Sequence, residues 1–209
     1  MSHNIEREQP IIVWFRDDFR LQDNPAFDAA VKTGQLIIPV FTLEPKNRWS
    51  YGEASKLWLG ATLRQLNSDL KVRGSYLVCL KGEPNTLLQF LIEKTTSCSI
   101  YWNRRYDPSG VSVDKAIFSN LKSRCDIKSF EGRLLSEPTT LKSGGGTPYK
   151  VFTPFYKMCL KVGFDIAVSS PPDRIMSPSL LNLGDSLESI LPQPQLQWQK
   201  VLIKQWSIG

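Results

Sequence analysis

Short unbroken apolar runs alternate along this chain with longer stretches in which apolar residues recur every three or four positions. Ile11–Phe15 (IIVWF) is too short and too continuous for a helix, and predicts a strand buried on both faces. The run 36–41 (LIIPVF) predicts a second strand, although Pro39 donates nothing to a ladder and is awkward in a central position. Segments 76–80 (YLVCL), 99–102 and 127–130 predict a third, a fourth and a weaker fifth. Between them, 24–33 opens with Asn24 as a cap and Pro25 in the first helical position, where a missing N–H costs nothing. Glu53–Val72 sets Leu59, Leu63, Leu66 and Leu70 on one helical face, with Gly74 just past its end. The stretch 84–93 carries Leu87, Leu88, Leu91 and Ile92, and 110–124 carries Val113, Ile117 and Leu121.

This alternation predicts an α/β fold: an open, Rossmann-like five-stranded parallel sheet with helices on both faces, right-handed crossovers and strand order 3-2-1-4-5, ending near Glu131. The texture then changes. Gly144, Gly145 and Gly146 read as a flexible connector, and 149–162 as a helix carrying Val151, Phe152, Phe155, Met158, Cys159 and Val162. From 165 to 197 the chain is polar, has five prolines and lacks periodicity, which predicts an extended linker, mobile unless docked. A new helix is expected over 198–206. The expected organisation is an α/β domain over 1–164, a linker over 165–197 and the start of a further domain over 198–209.

Composition narrows the chemistry. The 41% apolar and 22% charged fractions are those of an ordinary soluble domain. No run approaches the roughly 20 apolar residues of a membrane span, and the polar first nine residues do not resemble a secretory signal. Cys79, Cys98, Cys125 and Cys159 form no C-x-x-C pair and read as small thiols in a reducing cytoplasm. His3 is the sole histidine, so a Ser-His-Asp triad, an H-E-x-x-H helix or a Cys/His metal cluster cannot be built inside the fold. From Asp165 onward there are three basic and four acidic residues. That leaves 23 basic and 16 acidic residues, a net +7, on residues 1–164, compatible with an anionic partner or with a solvated basic face.

Ligands of open parallel sheets bind at the carboxyl ends of the strands, where the strand order reverses. The loops 16–23, 42–51 and 103–110 should line that edge. Neither G-x-G-x-x-G nor G-x-x-x-x-G-K-[ST] is present, which argues against a glycine-cradled dinucleotide or triphosphate. The mixed charges of Arg16, Asp17, Asp18, Arg20 and Asp23 read either as internal ion pairs fixing the loop or as ligand contacts. Asn103, Arg104, Arg105, Tyr106 and Asp107 combine planar donors, a ring and a carboxylate, which suits a planar conjugated ligand with polar edges or a plain exposed loop.

The segment 13–26 (VWFRDDFRLQDNPA) closely resembles the opening signature of the photolyase/cryptochrome family. Segment 101–108 (YWNRRYDP) resembles that family's fourth-strand motif, and 147–155 (TPYKVFTPF) the part closing its α/β domain. Segments 129–138 and 52–59 match more loosely, all in family order over about residues 10–160. The resemblance implies the N-terminal, antenna-binding α/β domain, most like that of a DNA photolyase. It implies an antenna chromophore, a deazaflavin or a folate, that passes excitation energy to FAD in a separate C-terminal helical domain. That domain would lie beyond Gly209 or be supplied in trans. There reduced flavin would split cyclobutane pyrimidine dimers, a lyase reaction that this chain alone is not expected to perform. DNA binding by this chain should be weak at most, with no membrane partner. A cryptochrome-type photoreceptor domain and a stand-alone nucleotide-binding or interaction module are the alternatives.

The expected antenna pocket lies between the loops 41–48 and 102–110. Phe41, Leu43 and Trp102 would give ring and apolar contact, and Arg48, Arg104, Arg105 and Asp107 polar anchors. Ser109 and Gly110 stand where folate-binding members resemble Asn-Glu, so a deazaflavin-like ligand is preferred over folate, or the pocket is empty. No residue is expected to act as a catalytic group or to ligate a metal.

Overall fold

The computed structural model describes residues 9–44, 51–97, 99–137, 141–163, 168–179, 183–191 and 195–206; His3 and Cys98 lie outside them. Strands β1 (Ile11–Phe15), β2 (Ile37–Leu43), β3 (Val78–Lys81), β4 (Ser99–Asn103) and β5 (Asp126–Phe130) form one parallel sheet in the order β3-β2-β1-β4-β5. The order reverses at β1, which pairs with β2 on one side and β4 on the other. The α/β expectation and the strand order therefore hold.

Alternation along the strands splits the core into two layers. On one face Ile11, Val13, Phe15, Ile37, Phe41 and Tyr101 pack with helices α1 (Pro25–Lys32) and α2 (Glu53–Val72) through Phe27, Leu63, Leu66 and Leu70. On the other, Ile12, Trp14, Ile38, Val40, Ile100 and Trp102 meet helices α3 (Pro84–Thr95) and α4 (Pro108–Leu121) through Leu88, Leu91, Ile117 and Leu121. The helix starts are capped from within: Asn24, Glu83 and Asp107 accept from the N–H groups of Phe27, Thr86 and Gly110. Helix α2 occupies the range its leucine spacing predicts, and Gly74 follows it in the left-handed conformation (φ 83°).

Pro39 is accommodated by where β3 begins. Ile37 donates its N–H to the carbonyl of Met176, and pairing of β2 with β3 starts only at Val40. A residue two after Ile37 faces the same side, so the missing donor of Pro39 falls in the gap and breaks no ladder.

The described part of the expected linker packs against this unit. Ile175 is buried and donates its N–H to the carbonyl of Arg73, Asp185 bridges to Cys79, and Leu187, Ile190 and Leu191 join the first core layer. Helices α5 (Phe152–Val162), α6 (Leu187–Ile190) and α7 (Gln197–Gln205) complete the described elements. Among the described residues no helix is long and apolar enough to cross a membrane.

Candidate functional site at the carboxyl edge of the sheet

The end of β1 is organised by one buried network. Arg16 donates to both carboxylate oxygens of Asp114 and, at 2.7 Å, to the carbonyl of Asn103. Its guanidinium lies 4.2 Å from the ring centre of Trp14 and 5.5 Å from that of Trp102. Burial pulls the Arg16 pKa down, opposed by the hydrogen bond and charge of Asp114. Asp18 accepts from the Arg16 N–H and from Asn103 Nδ2, both at 2.6 Å. Burial pushes its carboxyl above the ordinary range, and these hydrogen bonds oppose the rise. Asn103 also donates to Asn24 Oδ1 at 2.8 Å and accepts from the N–H of Ala26 at 3.1 Å. For Arg16, Asp18 and Asn24 the internal reading of the first loop is the observed one, but the arginine's ion partner sits on α4 and not within the loop.

The same network leaves Asp17 and Arg20 exposed and Phe19 half-buried against the first core layer. Asp17 (φ 58°) and Asp23 (φ 49°) both take the left-handed conformation, which short polar side chains tolerate better than others. Between this loop and the first half of α2 lies a cleft of about 600 Å³. Phe19, Tyr51, Trp58 and Leu59 give it apolar and aromatic walls, with Asp17 and Ser55 among its polar groups. The Tyr51 hydroxyl donates to Asp17 Oδ1 at 3.3 Å, and Arg133 donates to Asp17 Oδ2 at 3.3 Å. Burial, then the Asp17 charge, pushes the Tyr51 phenol up to about 12, so it remains a neutral donor. Phe19 stands edge-on to Phe41 at 5.7 Å.

The residues expected to form the pocket are only partly brought together. Phe41 and Leu43 reach the first core layer, whereas Trp102 lies in the second, on the opposite face of the sheet. Arg105 turns toward the end of β2, donating to Glu44 at 3.1 Å, with Nη2 4.0 Å from Asp114. Its Nε packs against Gly110: a Cβ there would sit 2.6 Å from the Arg105 Cβ and 2.9 Å from that Nε. Asp107 spends its carboxylate on capping α4, accepting from Gly110 N–H at 2.7 Å and from the Ser109 hydroxyl at 2.6 Å; these bonds, the Ser109 one foremost, lower its pKa. Arg104 points the other way, to Ser129 and Glu137, and Glu137 also accepts from Tyr106. Arg48 lies outside the described residues.

Four donors around the β4–α4 junction are buried with no hydrogen-bond partner among the described residues: Arg16 Nε, Trp102 Nε1, and Arg105 Nε and Nη2. Two of them belong to Arg105, which lies at the same carboxyl edge of the sheet but is not among the residues lining the cleft. Sequence reasoning had not singled out the α2 side of the cleft. The available signal was that Ser55, Trp58 and Thr62 recur at helical spacing beside the core leucines, which leaves a tryptophan on a face the core does not use. No cluster of groups able to hold a metal ion occurs among the described residues. The cleft offers aromatic walls with polar groups beside them.

The family model described as DNA photolyase matches residues 11–173, from the first residue of β1 into the docked segment after α5. A deoxyribodipyrimidine photo-lyase of Agrobacterium fabrum is 37% identical over 203 residues, covering 96% of this chain and 42% of the relative. Cryptochrome-2 of Arabidopsis thaliana is 33% identical over 177 residues, covering 82% of this chain and 29% of the relative. The crystal structure of a class III photolyase from Agrobacterium tumefaciens superposes with a TM-score of 0.86 at 37% identity, over 96% of this chain and 42% of that one. The chain thus spans less than half the length of these relatives. Because the matched model begins at β1 and takes in the whole sheet and the loop network at its carboxyl edge, this chain belongs to the DNA photolyase family.

Proposed function

We propose that this chain is the antenna-chromophore-binding domain of a DNA photolyase. Its ligand is a planar conjugated molecule seated at the carboxyl edge of the sheet. When bound, such a chromophore absorbs light and passes the energy to a flavin held elsewhere in the complete protein. The similarity to a relative named a deoxyribodipyrimidine photo-lyase supports repair of pyrimidine dimers as the activity this domain serves. Energy transfer needs a fixed distance and orientation and no acid, base or nucleophile, which agrees with a site built to bind.

One observation carries the reading: Arg105 is largely buried yet its Nε and Nη2 make no hydrogen bond among the described residues, Nη2 having only the 4.0 Å approach to Asp114, at the same sheet edge as a cleft walled by Phe19, Tyr51 and Trp58. Rings with a forked donor at one end fit a flat heterocycle with acceptor edges. Of the residues first assigned to the pocket, Phe41 meets the cleft through Phe19, while Arg105, held by Glu44 and packed on Gly110, belongs to the neighbouring strand ends. Ser109 and Gly110 favour a deazaflavin-like ligand over folate. The 33% identity to a cryptochrome supports a second reading, the same domain in a blue-light photoreceptor, with the same ligand chemistry.

The test is fluorescence titration of the purified chain with a deazaflavin and with a reduced folate, repeated on Arg105→Ala and Trp58→Ala. Deazaflavin should bind, and each substitution should weaken it at least tenfold. Tight folate binding overturns the choice of ligand, and deazaflavin binding untouched by both variants overturns the site.

A further inference from the structure

Helix α5 is eleven residues long and buries one side chain, Cys159. A helix of that length is marginal in water by itself and depends on packing. Its apolar residues nevertheless face outward. Phe152, Tyr156 and Leu160 follow one another four residues apart, and so line one side of the helix. They are 72%, 49% and 58% exposed, and the first two rings stack at 5.6 Å and 14°. Phe155 and Val162 continue the apolar surface on the other side of Cys159. Contiguous apolar surface of this kind marks an interaction site more often than a solvated face.

We infer that α5 is a docking ridge for the part of the photolyase chain that this chain does not span. The inference rests on the family assignment and not on the chromophore reading. Three observations select this occupant. The chain covers 42% of the Agrobacterium photo-lyase and 39% of a Synechococcus one, so more than half of each relative remains to pack somewhere. The family match runs through α5 to residue 173, which makes the helix part of the shared unit. Lys150, Lys157 and Lys161 flank the ridge, and the segment 149–162 carries no acidic residue. A second copy of this chain would set those lysines against their like, whereas an apolar groove with an acidic rim would complement them.

The probe is the remainder of the Agrobacterium fabrum photo-lyase, the 58% that this chain does not match, co-expressed with the full chain. It should co-purify with the unaltered chain at near-equal amounts. Tyr156→Asp and Leu160→Asp should each reduce recovery at least tenfold, while Val72→Asp, on an exposed position at the far end of α2, should not. All three should leave the thermal midpoint of the chain alone unchanged within error, because none removes a buried contact. A soluble remainder that fails to co-purify overturns the proposal. So does recovery indifferent to both α5 substitutions, and so does a chain that is dimeric alone and made monomeric by Leu160→Asp. If the remainder is insoluble by itself, the two are joined in one hybrid chain and hydrogen exchange in α5 is compared with that of the free chain. Protection should rise at least tenfold, and unchanged exchange overturns the inference. Loss of chromophore binding would leave these outcomes untouched, so the two readings fail separately.

Discussion

Asn103 shows how much of the site depends on single residues. Its side chain donates to Asp18 and Asn24 and accepts from the N–H of Ala26, tying the end of β4 to the β1 loop and to the first turn of α1. Asn103→Ala would leave a buried carboxylate and a buried amide short of partners, and stability should fall by about 2–3 kcal/mol, read from urea unfolding. Asp107 gives a prediction in pH. The bonds from Ser109 and Gly110 hold its folded pKa below the ordinary aspartate value of about 3.9. The folded state therefore binds the proton more weakly, and the stabilisation is present above that ordinary value and lost as the pH falls through the folded one. Since the residue is exposed, the effect should be small. Asp107→Asn should lower the urea midpoint slightly at pH 7, and the gap from the unaltered chain should close below about pH 4. A gap that widens in acid would contradict the sign.

At the scale of elements, the strands and main helices were legible because burial imposes periodicity on contiguous residues. The leucines of α2 locate that helix to the residue, and Asn24-Pro25 announces the start of α1. The site was legible only in outline. The motif around Arg104 and Arg105 was visible, but adjacent arginines leave a strand end in different directions, one to Glu137 and one to Glu44. The Arg16–Asp114 pair joins residues 98 apart, a distance over which spacing carries no information. Gly132 is a further case, a glycine with nothing local to explain it. In the fold a Cβ there would meet Asn103 Cγ at 2.5 Å and its Cβ at 2.9 Å. Gly132→Ala should destabilise by about 1–3 kcal/mol through overpacking and should loosen the same loop as Asn103→Ala. The double variant should then lose less than the sum of the two single losses. For comparison, Leu63→Ala, fully buried in α2, should cost about 2–5 kcal/mol, and Val72→Ala on the same helix almost nothing.

Across the whole molecule, the segment after α5 is the least expected part of the architecture. By composition it reads as a linker, polar and rich in proline. In the fold, residues 168–179 run along the edge of the core as a strap touching three separate places. Ser169 accepts from the Asp23 N–H, Met176 accepts from the Ile37 N–H at the start of β2, and Ile175 donates to Arg73 just past α2. Arg73 Nε donates in turn to the carbonyl of Pro172 at 3.1 Å, and the Ser75 and Ser177 hydroxyls meet at 2.5 Å. Prolines stiffen such a strap and lower the entropy it loses on docking, so a few contacts suffice to hold it.

Ile175, only 3% exposed, is the strap's one buried side chain and should dominate its attachment. Limited proteolysis of the unaltered chain should therefore cut first in the exposed 143–147 loop, where Gly144 and Gly145 have no neighbour within reach of a Cβ, and spare 168–179. The Ile37 amide should exchange at the slow rates of β1. In Ile175→Ala, which removes about 2–4 kcal/mol of packing, cleavage within 168–179 should appear and the Ile37 amide should exchange faster, while the amides of Val13 and Ile100 keep their relative protection. Early cleavage of the strap in the unaltered chain, or an Ile37 amide indifferent to the substitution, would mean that the segment is not held by these contacts.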